Sequence, residues 1–395
     1  MKVLHINYSR TDGAGNAVRR LNDALNNAGV ESEMIFFKPY ARETARIWWI
    51  ERKLNGLVNI LFNRIFKLSG INVMPTSLLR AINVSDADVV HLHWINPEML
   101  SIEQIACIRK PLVWTFHDMW PVCGREDYVE DDTYTRGEEG FSGLSRWVWK
   151  RKKRMLSRLA VKPSIITPSA WMSECVRNSV LFRGYEVTTL ANGLDLDIFR
   201  PIEERRALRE KYGLPPDKKI ILFGAFNIDH PRKGGDLLAK ALGELGPRED
   251  VFLAVFGRPG SGAISGFNTV WLGRIEGDHA MAEVCNCADV ALVPSRQETF
   301  GQTASEPQAC GVPVVAFDTT GLQDIVVHKT TGYLVRPFDE LDFAQGIDWV
   351  LSAPGERLRD AARKRAEERL AYEGIARQVL AVYEDLLCRA RVGHE

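Results

Sequence analysis

Nowhere in this 395-residue chain is there a run of the roughly twenty apolar residues that a membrane-spanning helix needs. Cysteine is also sparse. The seven, at positions 107, 123, 175, 285, 287, 310 and 388, are scattered and odd in number, which suits a reducing compartment better than a disulfide framework. Cys285 and Cys287 are the only close pair, and no further ligand stands at metal-binding spacing beside them. An excess of either charge is missing too: Lys plus Arg and Asp plus Glu each number 51, which argues against a dedicated nucleic-acid binder. There is no internal repeat and no low-complexity stretch. The chain enters a strand pattern at Lys2-Val3-Leu4-His5-Ile6, without the apolar run and small-residue cleavage site of a signal peptide. The expected location is the cytoplasm.

What is present has the balance of a globular protein, with 45% hydrophobic and 26% charged residues, in a chain too long for one ordinary core. Short apolar runs at 3–8, 33–37, 88–93, 112–116 and 164–167 alternate with amphipathic stretches such as 17–28, where Val18, Leu21, Leu25 and Ala28 recur at helical spacing before Gly29. The series begins again at 220–223 and continues at 251–256, 270–272, 290–293 and 314–317. Strand, helix, strand in repetition predicts parallel sheets covered on both faces. The expected architecture is α/β, with two Rossmann-like domains facing a central cleft. The turn-rich segment 190–195 marks the join, giving an N-terminal domain at 1–190, a C-terminal domain at 191–373 and a closing helix at 374–395 that packs back on the N-terminal domain.

The densest signal lies at 294–306, Pro-Ser-Arg-Gln-Glu-Thr-Phe-Gly-Gln-Thr-Ala-Ser-Glu. A strand ends at Val293, a loop carries Glu298 and Gly301, and a helix begins near Gln302. Loop and helix N–H groups at such a strand end can hold an anion or sugar hydroxyls. A carboxylate before the helix and another inside it can each accept hydrogen bonds from a pair of hydroxyls. Gly301 lets a bulky ligand approach the backbone.

Three features mark the N-terminal half. His117 follows the apolar run 112–116 and so sits at a strand end, where α/β sites assemble. His91 and His93 share one strand face; a metal pair is conceivable, but without a third ligand packing is preferred for His91 and a cleft-lining place for His93. Gly13-Ala14-Gly15-Asn16-Ala17-Val18 lacks the third glycine of a dinucleotide fingerprint, and no acid ends the second strand, which disfavours a dehydrogenase. Two segments also read as basic and amphipathic. Residues 146–162 carry eight basic and no acidic residues with Trp147 and Trp149, and residues 46–67 carry Trp48, Trp49, Leu54, Leu57 and Phe62. Such segments can lie on an anionic membrane surface or be ordinary domain helices.

The two glutamates seven residues apart, within Glu298-Thr299-Phe300-Gly301 and ahead of Ala309-Cys310-Gly311-Val312-Pro313, resemble the signature of family 4 glycosyltransferases. So do Asn192-Gly193 with Asp195 and Phe199, Arg232-Lys233-Gly234, and Thr331-Gly332-Tyr333-Leu334-Val335. The likeness covers nearly the whole chain, and it implies the GT-B fold and a retaining hexosyltransferase of polysaccharide biosynthesis that works without a metal or other cofactor. It implies donor contacts from Gly13, Gly15, Arg232, Lys233, Glu298, Thr299, Phe300, Gly301 and Glu306. Glu306 would hold the ribose, Lys233 the diphosphate and Glu298 the transferred sugar. His117 joins Lys233 and Glu298 as catalytic, with Asp118 and His93 toward the acceptor. The expected partners are a nucleotide-sugar donor and a saccharide or lipid-linked acceptor, with peripheral contact at the inner membrane face and no nucleic acid. The arginine usual after the strand-end glycine is missing: Gly224-Ala225-Phe226 stands there, and Arg232 is its expected substitute. A nucleotide-sugar epimerase of the same fold and a non-catalytic carbohydrate-binding protein remain as alternatives.

Overall fold

The computed structural model describes residues 1–37, 69–96, 98–258 and 266–392. Within them the chain forms two compact units, Met1–Ala191 with Ile375–Glu395, and Asn192–Gly374. The amphipathic stretch expected at 46–67 lies outside the described residues.

The first unit holds a parallel sheet in the order β2-β1-β3-β4-β5-β6, with β1 (Lys2–Asn7), β2 (Glu31–Phe36), β3 (Val89–Leu92), β4 (Leu112–Thr115), β5 (Ser164–Thr167) and β6 (Val187–Thr189). Its helices are α1 (Gly13–Asn27), α2 (Leu78–Val84), α3 (Ile102–Ile105), α4 (Gly143–Leu156) and α5 (Ala170–Asn178). Asp12 caps α1 by accepting the Gly15 N–H at 2.7 Å, which starts the helix immediately after the first strand's loop. The pairing sets His5 beside His91 and His91 beside Val113. Because side chains alternate along a strand, the two sheet faces differ. Leu4, Ile6, Val90, Leu92, Trp114 and Phe116 enter the apolar core. The opposite face carries His5, His91, His93 and Thr115, all buried.

The second unit repeats the plan in the order β12-β11-β10-β7-β8-β9. Its strands are β7 (Lys219–Asn227), β8 (Val251–Arg258), β9 (Asn268–Gly273), β10 (Val290–Val293), β11 (Val314–Phe317) and β12 (Gly332–Val335). Its helices are α6 (Arg205–Lys211), α7 (Gly235–Leu245), α8 (Asp278–Cys287), α9 (Gln302–Ala309), α10 (Leu322–Ile325), α11 (Glu340–Ser352) and α12 (Gly355–Leu370). Ile221, Phe223, Leu238, Val255, Leu292 and Phe317 centre its core. The last helix, α13 (Tyr372–Val392), belongs to the first unit from Ile375 onward, where Tyr383 donates or accepts at 2.7 Å with the His91 ring.

The basic segment 146–162 is only partly a surface. Within α4, Val148, Trp149, Arg151, Lys152 and Met155 are buried. Arg151 forms an ion pair with Glu103 and donates to the Ile71 and Asn72 carbonyls at 2.5 and 2.8 Å. The Lys152 amine sits 3.7 Å from the centre of the Trp120 ring and donates to the carbonyls of Trp120, Cys123 and Gly124. Burial lowers its pKa to about 7, and those carbonyls tie the 120–124 loop to the helix. Thus two of the eight basic residues and one tryptophan serve the interior. Arg146, Trp147, Lys150, Lys153 and Arg154 form the solvent face.

Candidate functional site

In the second unit, β10 ends at Val293 and the chain turns through Ser295 and Glu298 into α9. Glu298 is 7% exposed, yet its carboxylate has a full set of donors. Oε1 accepts from the Lys233 amine at 2.5 Å and from the Ser295 hydroxyl at 2.8 Å, and Oε2 from Arg232 Nη1 at 3.3 Å. Burial by itself would raise its pKa. The charges of Lys233 and Arg232 and the hydrogen bonds outweigh that and pull it down to about 2. The Glu298 backbone is also held, its N–H donating to Thr320 Oγ1 at 3.0 Å and its carbonyl accepting from the Gly321 N–H at 2.9 Å.

Two glycines make this geometry possible. Gly234, at φ 67°, follows the 3₁₀ turn Pro231–Lys233, and a Cβ there would run into the Pro294 carbonyl. Gly301, at φ 101°, caps α9, and a Cβ there would stand 2.7 Å from Leu322 Cδ2. The first brings the Arg232–Lys233 turn against the β10 loop, and the second turns the chain into α9. Arg232 is anchored besides by donating to the Gln297 carbonyl at 2.8 Å. Arg296 makes a two-pronged pair with Asp236 at 2.8 and 2.6 Å, tying the same loop to α7.

Glu306 is buried on α9 and lines a small cavity with Gly224, Phe256, Cys285, Leu292 and Thr303. Thr299 and Phe300 are also buried, Phe300 with its ring in the interior. Where the usual arginine is missing, Ala225 is buried. Phe226 is 54% exposed, with the guanidinium groups of Arg258 and Arg274 at 4.9 and 5.7 Å from its ring centre. Thr320 lies outside every motif read in the sequence, and Ser295, although inside the 294–306 segment, had not been singled out as a partner of Glu298.

In the first unit, His117 lies just beyond β4, half-buried, with its Nε2 3.0 Å from His93 Nδ1. Burial pulls its pKa to about 4, so the ring is neutral near pH 7. Asp118 turns the other way, accepting the Trp120 N–H at 2.9 Å; burial, then the charge of Asp127, raise its carboxyl to about 8. His93, expected to line the cleft, is buried with both ring nitrogens engaged, by His117 and by His5. His5 is the third histidine that the strand pattern of His91 and His93 did not supply. One nitrogen from each of the three lies within 4.8 Å of the others, but both nitrogens of His91 and of His93 already hold hydrogen bonds that a cation would have to displace. Gly13 and Gly15 occupy the first turn of α1, directly after β1.

Two family models match the chain: that of glycosyl transferases group 1 over residues 204–369, and that of glycosyltransferase family 4 over residues 11–198. D-inositol 3-phosphate glycosyltransferase 2 of Catenulispora acidiphila is 36% identical over 217 residues, spanning 50% of this chain and 50% of that protein. D-inositol 3-phosphate glycosyltransferase of Mycobacterium tuberculosis is 34% identical over 207 residues, spanning 48% of this chain and 42% of that protein. The chain thus spans about half the length of the curated relatives it matches. Among solved structures, sucrose-phosphate synthase of Thermosynechococcus elongatus superposes with a TM-score of 0.70 at 20% identity, covering 98% of this chain and 100% of that one. Anabaena HepE in complex with UDP-glucose superposes with a TM-score of 0.66 at 16% identity, covering 98% and 100%. At these identities the likeness shows the fold, which is GT-B.

Proposed function

We propose that the chain, matched by two glycosyltransferase family models over residues 11–198 and 204–369 in turn, transfers a hexose, with retention, from a nucleotide diphosphate sugar to a saccharide or lipid-linked acceptor in polysaccharide assembly. The observation that carries the reading is the cluster of Lys233 and Arg232 on Glu298. Two cations beside one buried carboxylate form a site with one positive charge in excess, suited to a diphosphate. When the donor diphosphate enters, its oxygens take over the bonds of Lys233 and Arg232. Glu298 is then released to accept hydrogen bonds from the sugar hydroxyls. The same two cations stabilise the negative charge that develops as the sugar–phosphate bond breaks, a task that in this reading needs no metal. The acceptor hydroxyl attacks the anomeric carbon on the face that the diphosphate leaves, and a phosphate oxygen takes its proton. Nucleoside diphosphate and a glycoside with unchanged anomeric configuration result. Glu306, in its cavity beside Gly224 and Phe256, is assigned to the ribose hydroxyls, and His117 to the transferred sugar. The UDP-glucose bound by HepE supports a nucleotide-sugar donor.

The test is thermal-shift binding of UDP, GDP, ADP and CMP and their sugar conjugates, repeated on Glu306→Ala. One nucleotide series should raise the melting temperature, and the variant should lose that response. An unchanged response in the variant would remove Glu306 from the donor site. Incubation of the responding sugar conjugate without acceptor then separates the readings, since a released or isomerised sugar as the main product would identify an epimerase.

A further inference from the structure

One backbone conformation beside Glu298 runs against the chemistry of its residue. Thr320, in the loop Asp318-Thr319-Thr320-Gly321 that leaves β11, has φ 51°. Of the non-glycine residues with positive φ among those described, it alone is β-branched. A branched Cβ crowds the backbone in the left-handed region, so the fold holds Thr320 there against its own preference. A glycine would take this φ without that crowding. What the threonine adds is its hydroxyl, and the buried Oγ1 accepts the Glu298 N–H at 3.0 Å.

The residues that follow press on the same segment. The Gly321 N–H donates to the Glu298 carbonyl at 2.9 Å, so two successive residues bind both backbone groups of Glu298. A Cβ at Gly321 would stand 2.5 Å from the Thr299 carbonyl oxygen and 2.8 Å from that of Glu298. Leu322 in turn occupies the space that a Cβ on Gly301 would need. The Asp318 N–H donates to the Val335 carbonyl at 2.7 Å, which ties the start of the loop to β12. Residues 320–322 thus form a buttress along Glu298-Thr299-Phe300-Gly301.

The Glu298 carboxylate itself is held by Lys233, Arg232 and Ser295. In the reaction proposed above, the two cations turn to the diphosphate, and their hold on the carboxylate loosens as the sugar arrives. The bonds from Thr320 and Gly321 are made to the backbone and persist through that exchange. We propose that Thr320 is a positioning residue, whose hydroxyl fixes the Glu298 backbone so that the carboxylate stays aimed at the transferred sugar once Lys233 and Arg232 bind the diphosphate. The role at the sugar rests on the glycosyltransferase reading, whereas the clamp on Glu298 is a property of the unliganded protein. The two can therefore fail separately.

The clamp is tested by hydrogen–deuterium exchange of the unliganded full chain at pH 7, read at the Glu298 amide by fragmentation mass spectrometry. Thr320→Ser, which keeps the hydroxyl, should exchange like the wild type. Thr320→Gly and Thr320→Val, which lose it, should exchange about tenfold faster at that amide. The glycine relieves the backbone and the valine does not, so a change common to both belongs to the hydroxyl and not to the strain. Melting temperature controls for folding, and glycine against serine decides if the valine variant does not fold. Unchanged exchange at Glu298 would overturn the clamp. The role at the sugar is tested by calorimetric titration with UDP and UDP-glucose, GDP and GDP-mannose, and ADP and ADP-glucose. Thr320→Gly should keep the wild-type affinity for the bare nucleotide and bind its sugar conjugate several-fold more weakly, and Thr320→Ser should restore that affinity. Equal losses for nucleotide and conjugate, or no loss for either, would overturn the role at the sugar. A wild type that binds none of these ligands would overturn that role together with the glycosyltransferase reading and leave the clamp standing.

Discussion

A carboxylate that is almost fully buried stays ionised only if its partners outweigh its lost hydration, and Glu298 has Lys233, Arg232 and Ser295 around it. The consequence is a pH dependence with a definite sign. The folded pKa is about 2 and the ordinary value 4.5, so this group's stabilisation is complete above about pH 5 and is lost as pH falls toward 2. Its size follows from the shift at about 1.4 kcal/mol per unit, on the order of 3 kcal/mol. Urea unfolding of the wild type and Glu298→Gln between pH 6 and pH 3 measures it. The variant should be less stable by about 2–4 kcal/mol at pH 6 and should lose most of the difference by pH 3. A constant gap would mean that the carboxylate's charge is not what stabilises the turn. The motif Glu-Thr-Phe-Gly drew attention to this residue. Its counter-ions came into view only with the fold, because Lys233 is 65 residues away and the approach depends on Gly234.

At the scale of elements, α4 shows why a count of charges is a poor guide to a surface. Its sequence is basic throughout, but a helix buries one side, and here the buried side includes Arg151 and Lys152. The Lys152 amine is kept there by three carbonyls and the Trp120 ring, contacts made by a loop some thirty residues earlier that no periodicity reveals. The remaining face, Arg146, Trp147, Lys150, Lys153 and Arg154, is exposed and basic, and it is the part of α4 that the proposed peripheral contact with anionic lipid would use. Co-sedimentation with vesicles containing phosphatidylglycerol should fall several-fold for Lys153→Glu with Arg154→Glu at unchanged melting temperature. Equal co-sedimentation of variant and wild type would remove α4 from any membrane contact. No helix among the described residues is long and apolar enough to cross a membrane.

For the molecule as a whole, the division into Met1–Ala191 with Ile375–Glu395 and Asn192–Gly374 bears on how binding is read out. Chains built of two compact units often unfold in more than one step. The residues assigned to the diphosphate, the ribose and the sugar hydroxyls, apart from His117 and the Gly13–Gly15 turn, all lie in the second unit. In scanning calorimetry, saturating nucleotide at about 100 times its dissociation constant should stabilise that unit's transition by about 2.7 kcal/mol. The first unit's transition should move little. The reverse pattern would move the nucleotide to the first unit.

Much of this was legible in the chain itself. Parallel strands buried on both faces must be continuously apolar, so their runs stand out, and the β10–loop–α9 passage declares itself through Val290–Val293, Gly301 and two acids seven residues apart. The edge strands β6 and β12 did not, because they are only partly buried and their residues, Val187–Thr189 and Gly332–Val335, do not make a continuous apolar run. Tertiary structure alone decided which polar groups meet. His5, His93 and His117 come from three strands or strand ends separated by dozens of residues, and only parallel pairing sets their rings in one line. The departure at Ala225 was visible as a missing arginine, but only the turn at Gly234 shows Arg232 and Lys233 brought together onto Glu298. Local pattern follows from the backbone's own periods, whereas charge pairing depends on approaches between distant segments, and those are set by packing.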